Sequence, residues 1–336
     1  MFRVSESLLL LCLIALFQLT TPGAGNAQMP GQAAAPAMSG SADDVEARHV
    51  AGLPGVKAND KGKLAITAAG LSFSGKSGGA VVPASEIAAV STGNQRVELW
   101  GTKGRLLRMA IPQGGGLVAA TFLHHKVNML TVEFEDAKGG YHAAVFYVAE
   151  EAAQKAMEQL ALRPVRHERT AERCAAGTLR PNTVRVLMPD WGDEAVPAAY
   201  RALVYEKLVD RLLAAKGVTY VYRDGEQDAD DQCAAYTVAL KATGYKEGSQ
   251  VARASTGPVG MFVGTTQLKF DARITNARTG TEYRVEAKAT VRGETESINV
   301  ASAVAKKVVK DFGHAQQGVG GPAAAARLPQ YHWGRP

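Results

Sequence analysis

In one short segment after another between Lys63 and Val148, apolar residues alternate with polar or small ones, and from Ala149 the repeat lengthens to that of a helix. KLAIT, LSFS, AVVP, EIAAVST, RVELW, RLLRMAI, LTVEFED and YHAAVFYV all read this way. Val132 and Phe134 set against Thr131, Glu133 and Glu135 show the pattern at its clearest. A period of two is the mark of strands with one face buried. Ala149 to Leu162 then places Ala152, Ala153, Ala156, Met157, Leu160 and Ala161 on one stripe, with Glu151, Gln154, Lys155 and Glu158 opposite. That stripe predicts an amphipathic helix closing a mostly-β unit.

A second unit follows with a different order. TVRVLM from Thr183 predicts a strand, and Val196 to Leu213 predicts a helix whose apolar face is Tyr200, Leu203, Val204, Leu208, Val209, Leu212 and Leu213. VTYVY and AAYTVALKAT predict strands, and TQLKFDARITNARTGTEYRVEAKATV a hairpin. Within the hairpin Leu268, Phe270, Ala272 and Ile274 alternate with Lys269, Asp271 and Arg273, so one sheet face is buried and the other wet. A last helix carries Ala301, Val304, Ala305, Val308, Val309 and Phe312 on one side. Strand, helix, three or four strands and helix make an α+β two-layer sandwich.

GLSFSGKS, Gly70 to Ser77, satisfies the phosphate-loop pattern G-x-x-x-x-G-K-[ST]. A working loop of that kind leads into a helix whose first N–H groups hold the phosphates, while the Lys reaches them and the hydroxyl holds magnesium. Here Leu71 to Ser74 alternate like a strand, and Ser77 is followed by Gly78, Gly79 and the β-prone AVVP. The segment predicts a hairpin, with Lys76 and Ser77 solvated at its tip. A nucleotide-binding protein or hydrolase using Gly75, Lys76 and Ser77 is the alternative to a chain with no enzyme activity.

Other candidate chemistry is thin. His124, His125 and His142 with Glu133 offer zinc ligands, but adjacent histidines on a strand point to opposite faces, and no H-x-x-x-H or C-x-x-C spacing exists. Asp193 and Glu194 suit the start of a helix, and Asp228, Asp230 and Asp231 lie in a polar loop lacking the glycine and terminal Glu of a calcium loop. No catalytic residue, metal site or cofactor is expected. TGPVGMFVG presents Met261, Phe262 and Val263 either as an apolar loop offered to a partner or membrane, or as a buried turn; the buried turn is the simpler reading.

The first residues carry Arg3, an apolar run from Leu8 to Phe17 and small residues ending at Ala27, the layout of a signal peptide over 1–27. Ten apolar residues are too few for a membrane anchor, which needs about 20. Export to the periplasm or beyond is expected, with no transmembrane helix after cleavage and peripheral membrane contact left open. Cys12 leaves with the peptide, and Cys174 and Cys233 remain as an even pair in an oxidising compartment, where a disulfide is favoured over two free thiols.

The net charge of +6 does not mark a nucleic-acid binder. Residues 57–162 carry 11 Lys and Arg against 9 Asp and Glu, and residues 183–312 carry 18 against 17, so the excess sits in the connecting segment around 163–180. A basic linker is ordinarily solvated, whereas nucleic-acid binding needs a basic face on a folded domain. Residues 28–52 and 313–336 are low in complexity and predict disorder, the latter ending in Tyr331, His332 and Trp333.

KGKLAITAAGLSFSGKSGGAVVPASEIAAVSTG with LTVEFEDAKGGYHAAVFYV resembles bacterial pleckstrin-homology-like and GRAM-like domains. That resemblance implies a pleckstrin-like barrel with a C-terminal helix over 56–162, binding lipids, peptides or proteins rather than catalysing. Lys61, Lys63 and Lys76 lack the neighbouring arginines of phosphoinositide binders, so headgroup recognition is not implied. VPAAYRALVYEKLVDRLL, VTYVYRDGE and the hairpin with Thr-Gly at its tip resemble bacterial envelope domains related to the TolB amino-terminal domain and curli-secretion lipoproteins, over 183–312. Two domains joined by a basic linker at 163–182 are thus expected, with an envelope protein or a second copy as partner.

Overall fold

The structure, a computed structural model, describes residues 44–98, 124–160, 178–227, 233–248, 265–291 and 297–317. Seven strands form the first sheet: β1 (Val45–Ala51), β2 (Lys61–Thr67), β3 (Gly70–Gly75), β4 (Gly79–Pro83), β5 (Ile87–Glu98), β6 (His124–Glu135) and β7 (Tyr141–Val148). Their order is β4-β3-β2-β1-β7-β6-β5, antiparallel throughout. Helix α1 (Glu150–Leu160) follows and buries Ala152, Ala153, Ala156 and Leu160, the stripe its sequence predicts. It packs on β2 as well as on β5 and β6, so strands from both halves of the sheet share one core with it. Leu64, Leu71, Leu130, Val132 and Phe146 in that core are fully buried.

Among the described residues no pairing joins β4 to β5. Where a pleckstrin-like barrel with a C-terminal helix is expected, the described residues form a mostly-β open sheet with β4 and β5 at its edges, followed by a helix. The disorder expected over 28–52 is also corrected, because residues 45–51 form β1 between β2 and β7. Val50 and His49 there are each 1% exposed.

The second sheet holds β8 (Leu179–Val186), β9 (Tyr220–Tyr222), β10 (Cys233–Lys246), β11 (Thr266–Asn276) and β12 (Glu282–Val291), ordered β12-β11-β10-β8-β9. β8 runs parallel to β9 and β10, and the other pairs are antiparallel. Two helices accompany it, α2 (Ala198–Leu213) and α3 (Ser297–Gln316). β8 begins inside the expected 163–182 linker, and α3 runs to Gln316, into the expected 313–336 tail.

α2 packs against β1, β5, β6 and β7 of the first sheet as well as against α3 and β9. It is consequently buried over most of its surface: Ala199, Ala202, Leu203, Val204, Tyr205, Glu206, Leu208, Val209 and Leu212 are all buried. Val50, Met129, Ala143 and Val145 from the first sheet belong to the same buried cluster as Leu203, Leu208, Phe270, Ile274, Val304 and Phe312. Each fully buried side chain of this size contributes about 1.5–3 kcal/mol. The first sheet thus closes one core with α1 on one face and on its other face shares a second core with the second sheet, and the described residues fall in one compact unit. Leu213, expected on the apolar face, is 55% exposed at the helix end.

Candidate functional site

The GLSFSGKS segment is strand and turn. Gly70–Gly75 is β3, paired with β2 and with β4, and the Gly75 N–H donates to the Gly78 carbonyl at 2.9 Å to close the hairpin. Lys76 is exposed, as predicted. Ser77 is half-buried and its polar groups are engaged. Its backbone N–H donates to Asp60 Oδ2 at 2.7 Å, its hydroxyl donates to the same oxygen at 2.5 Å, and the hydroxyl accepts the Lys57 N–H at 3.0 Å. The hydroxyl and amide of Ser77 hold the Asp60 carboxyl below its ordinary value. The hydroxyl that a phosphate loop would turn to magnesium is thereby engaged in fastening this hairpin to the turn before β2.

Of the residues weighed as zinc ligands, His142 and Glu133 do not converge. His142 pairs across the ladder with Phe134 and Glu133 with Ala143, which puts the two side chains on opposite faces of the sheet. Glu133 accepts the Tyr141 hydroxyl at 3.0 Å. The His142 ring stacks on Phe134 and meets Asp136 Oδ2 through Nε2 at 3.1 Å. Burial, with the Arg223 charge, holds His142 below its ordinary pKa. Among the described residues no group of three or more His, Cys, Asp or Glu is placed to hold a metal ion. The side chains of His124 and His125 lie outside the described residues, as do Asp228, Asp230, Asp231 and the Met261, Phe262 and Val263 loop. Glu194 begins no helix; its carboxylate accepts the Tyr245 N–H at 2.9 Å.

Cys233 opens β10, opposite Leu179 of β8, and is 3% exposed. The Thr178 hydroxyl lies 3.7 Å from its sulfur. Cys174 is outside the described residues, four positions before Thr178.

The densest polar cluster is one that sequence reasoning missed. Glu206 of α2 and Arg223, just after β9, form a two-pronged pair, with both guanidinium nitrogens 2.9 Å from the carboxylate oxygens. Glu206 also accepts the Ala143 N–H of β7 at 2.9 Å, and Arg223 also donates to the Tyr141 carbonyl at 3.0 Å. Burial opposes the charge on Glu206, but the Arg223 guanidinium outweighs it and holds the carboxyl below its ordinary value. The Tyr205 hydroxyl accepts the Asp224 N–H at 2.9 Å, and the Tyr141 N–H donates to the Asp224 carbonyl at 2.9 Å. The turns at 136–140 and 223–227 lie against one another, and Gly139 and Gly225, with φ of +78° and +80°, sit so close that a Cβ on Gly225 would stand 2.6 Å from the Gly139 carbonyl oxygen. Hydrogen bonds from Arg223 to the Tyr141 carbonyl and from the Ala143 N–H to Glu206 cross between the layers, which makes the cluster a joint. Its sequence signal was a carboxylate three residues after Leu203 and three before Val209, inside an apolar stripe.

What fold and cluster define is a two-sheet α+β body whose buried charges join its layers. No protein-family model and no curated protein matches the chain in sequence. Among solved structures it is weakly similar to bacterial proteins. A PelC dodecamer from Paraburkholderia phytofirmans is 16% identical, covering 42% of this chain and 91% of that one, with a TM-score of 0.28. Lipoprotein GNA1162 from Neisseria meningitidis is 14% identical, covering 40% and 99%, with a TM-score of 0.26. An uncharacterised protein is 10% identical, covering 41% and 92%, with a TM-score of 0.25.

Proposed function

We propose that the chain is an exported, non-enzymatic protein of the bacterial envelope, periplasmic or secreted, with a binding or assembly role. The observation that carries this reading is how the polar side chains are spent. Ser77 fastens a hairpin, His142 and Asp136 brace a turn, and Glu206 and Arg223 join the sheets. Catalytic groups by contrast face a cleft where a substrate can reach them. The amino-terminal residues support export, and seven strands closed by α1 support the pleckstrin-like resemblance of the first part. Strand, helix, four strands and helix support the envelope-domain resemblance of the second. Among the described residues no helix is long and apolar enough to cross a membrane.

The test is capture from envelope extract with the chain lacking residues 1–27 as bait. A protein recovered saturably, and displaced by untagged chain, is the expected result. Recovery of nothing above a bead control contradicts the reading.

A further inference from the structure

Strand β12 is the outer strand of the second sheet, and among the described residues it pairs with β11 alone. It is 10 residues long, EYRVEAKATV, and has neither proline nor glycine to blunt it. An edge of that kind is a template for another strand. Glu282, Arg284, Glu286 and Lys288 stand exposed on its wet face. On the other face Tyr283 and Val285 pack against the core but remain partly uncovered.

The charges directly opposed between β12 and β11 are alike, although Glu282 reaches Arg273 diagonally at 3.8 Å and Arg284 along its own strand at 3.3 Å. Its rungs with β11 set Lys288 opposite Lys269, Glu286 opposite Asp271 and Arg284 opposite Arg273. Like charges directly across a strand pair destabilise it.

The same charges are in the right order for a second β12. Every second residue of an edge strand turns its backbone N–H and C=O outward, so two copies meeting antiparallel must set a residue opposite itself or opposite one an even number of positions away. Centred on Val285, this places Glu282 opposite Lys288 of the partner subunit and Arg284 opposite Glu286 of the partner subunit. By symmetry all four charged rungs join opposite charges. Val285 then meets its own copy, and Tyr283 covers Ala287 of the partner subunit. Sliding one rung either way spoils the match. Centred on Arg284, that residue faces itself and Glu282 faces Glu286; centred on Glu286, that residue faces itself and Arg284 faces Lys288. Charge thus favours this register, with four opposite-charge rungs against two when centred on Tyr283 or Ala287, and penalises the adjacent ones.

We propose that two copies of the chain associate through antiparallel β12 strands about Val285, joining their second sheets across a two-fold axis. This gives the assembly role proposed above one definite partner, a second copy, and rests on that reading for its purpose.

Sedimentation of the purified chain over a range of concentrations tests it. The chain is expected to dimerise, and Arg284→Glu to weaken the dimer by about tenfold or more, because the symmetry counts each altered rung twice. The same substitution turns the rung with Arg273 into an attraction while removing the exposed Arg284–Glu282 pair, so the melting temperature of the monomer should change little. Arg284→Glu combined with Glu286→Arg restores the matched rungs and should restore the dimer. Val285→Cys should give a disulfide-linked dimer on oxidation, since facing Cα atoms in an antiparallel pair are about 4.5–5.5 Å apart. A chain that stays monomeric, a dimer indifferent to Arg284→Glu, a charge exchange that fails to rescue, or a Val285→Cys variant that does not cross-link would each overturn the inference. If such a monomer still captures an envelope protein saturably, the assembly reading stands and only the self-pairing falls.

Discussion

Glu206 on α2 accepts the backbone N–H of Ala143 on β7 across 2.9 Å, so a helix from one sheet's layer holds the main chain of the other sheet. Pairing between β1 and β7 stops at Ala51 and Val145, two residues short of Ala143. The carboxylate supplies the acceptor that β1 no longer provides, and Arg223 neutralises it.

Removing one member of this buried pair leaves the other charged and unmatched. Glu206→Ala and Arg223→Ala should each destabilise the chain by about 3–5 kcal/mol in urea unfolding. Glu206→Gln keeps an acceptor for Ala143 but strands the guanidinium, and should fall between wild type and Glu206→Ala. Losses below about 1 kcal/mol for both alanine variants would show that the pair does not hold the sheets.

Gly225 tests the same joint from the backbone. Gly225→Ala combines a positive φ with a Cβ placed 2.6 Å from a main-chain oxygen of Gly139, and neither strand of the contact is a flexible side-chain end. The cost should exceed the ~1 kcal/mol expected for a left-handed alanine in open space. Gly192, with φ of +50° and nothing within 4 Å of its Cβ position, is the control and should lose less.

The hairpins could be read in the sequence because their residues speak locally. β11 and β12 alternate strictly, and β3 and β4 flank a Lys-Ser-Gly turn. β1 was hidden by its composition, since VEARHVA has two alanines and three charged or titratable residues, and its burial depends on β2 and β7. α2 was half legible. A helical stripe implies one buried face, but α2 is covered by both sheets, and no local pattern announces a second cover. Glu206 and Ala143 are 63 residues apart and Arg223 and Tyr141 are 82 apart, so the joint exists only once the layers have met.

Acid should weaken the fold in two stages. His49 donates from Nδ1 to the Lys57 carbonyl at 3.0 Å and accepts the Leu53 N–H on Nε2 at 3.1 Å, so a second proton would set two N–H groups against each other. Burial lowers both His49 and His142 from the ordinary 6.5. The unfolded chain therefore takes up these protons first, and the stability they contribute is complete above about pH 6.5 and is lost as pH falls from there toward the folded values. Glu206 and Asp136, lowered from 4.5 and 3.8, add a second loss at more acid pH. Glu86 and Asp210, raised by burial, act in the opposite sense near pH 4, which leaves the histidine window the cleaner one. Urea midpoints measured between pH 7.5 and 5 should fall; a flat profile would contradict the His49 geometry.

Ser77 gives a local readout. Ser77→Ala removes one of the hydrogen bonds that hold Asp60 low, so the Asp60 carboxyl should titrate closer to its ordinary value by NMR. Titrating magnesium-ATP should leave the melting temperature of the wild-type chain unmoved, since a ligand that does not bind the native state cannot stabilise it. A shift that Lys76→Ala abolishes would revive the nucleotide reading.

Cys174 and Cys233 are expected to be bonded. The strands that follow them are neighbours, with Cys233 opposite Leu179, and Thr178 beside the Cys233 sulfur leaves a four-residue segment to bring Cys174 back. Closing the loop from 174 to 233 would stabilise by roughly 4 kcal/mol in the chain-entropy account. Mass spectrometry of chain alkylated without reduction should show the two peptides linked, and finding both alkylated would remove the bridge.

The central claim, that this chain works by assembling with other protein, is tested most directly by lysine-reactive cross-linking in intact cells that make it, followed by mass spectrometry. The account predicts links from the exposed lysines of the folded body to a second protein chain, reproducible and lost when the untagged chain is supplied in excess. Links confined to residues within one copy, at the same cross-linker dose and with the chain correctly exported, would contradict it.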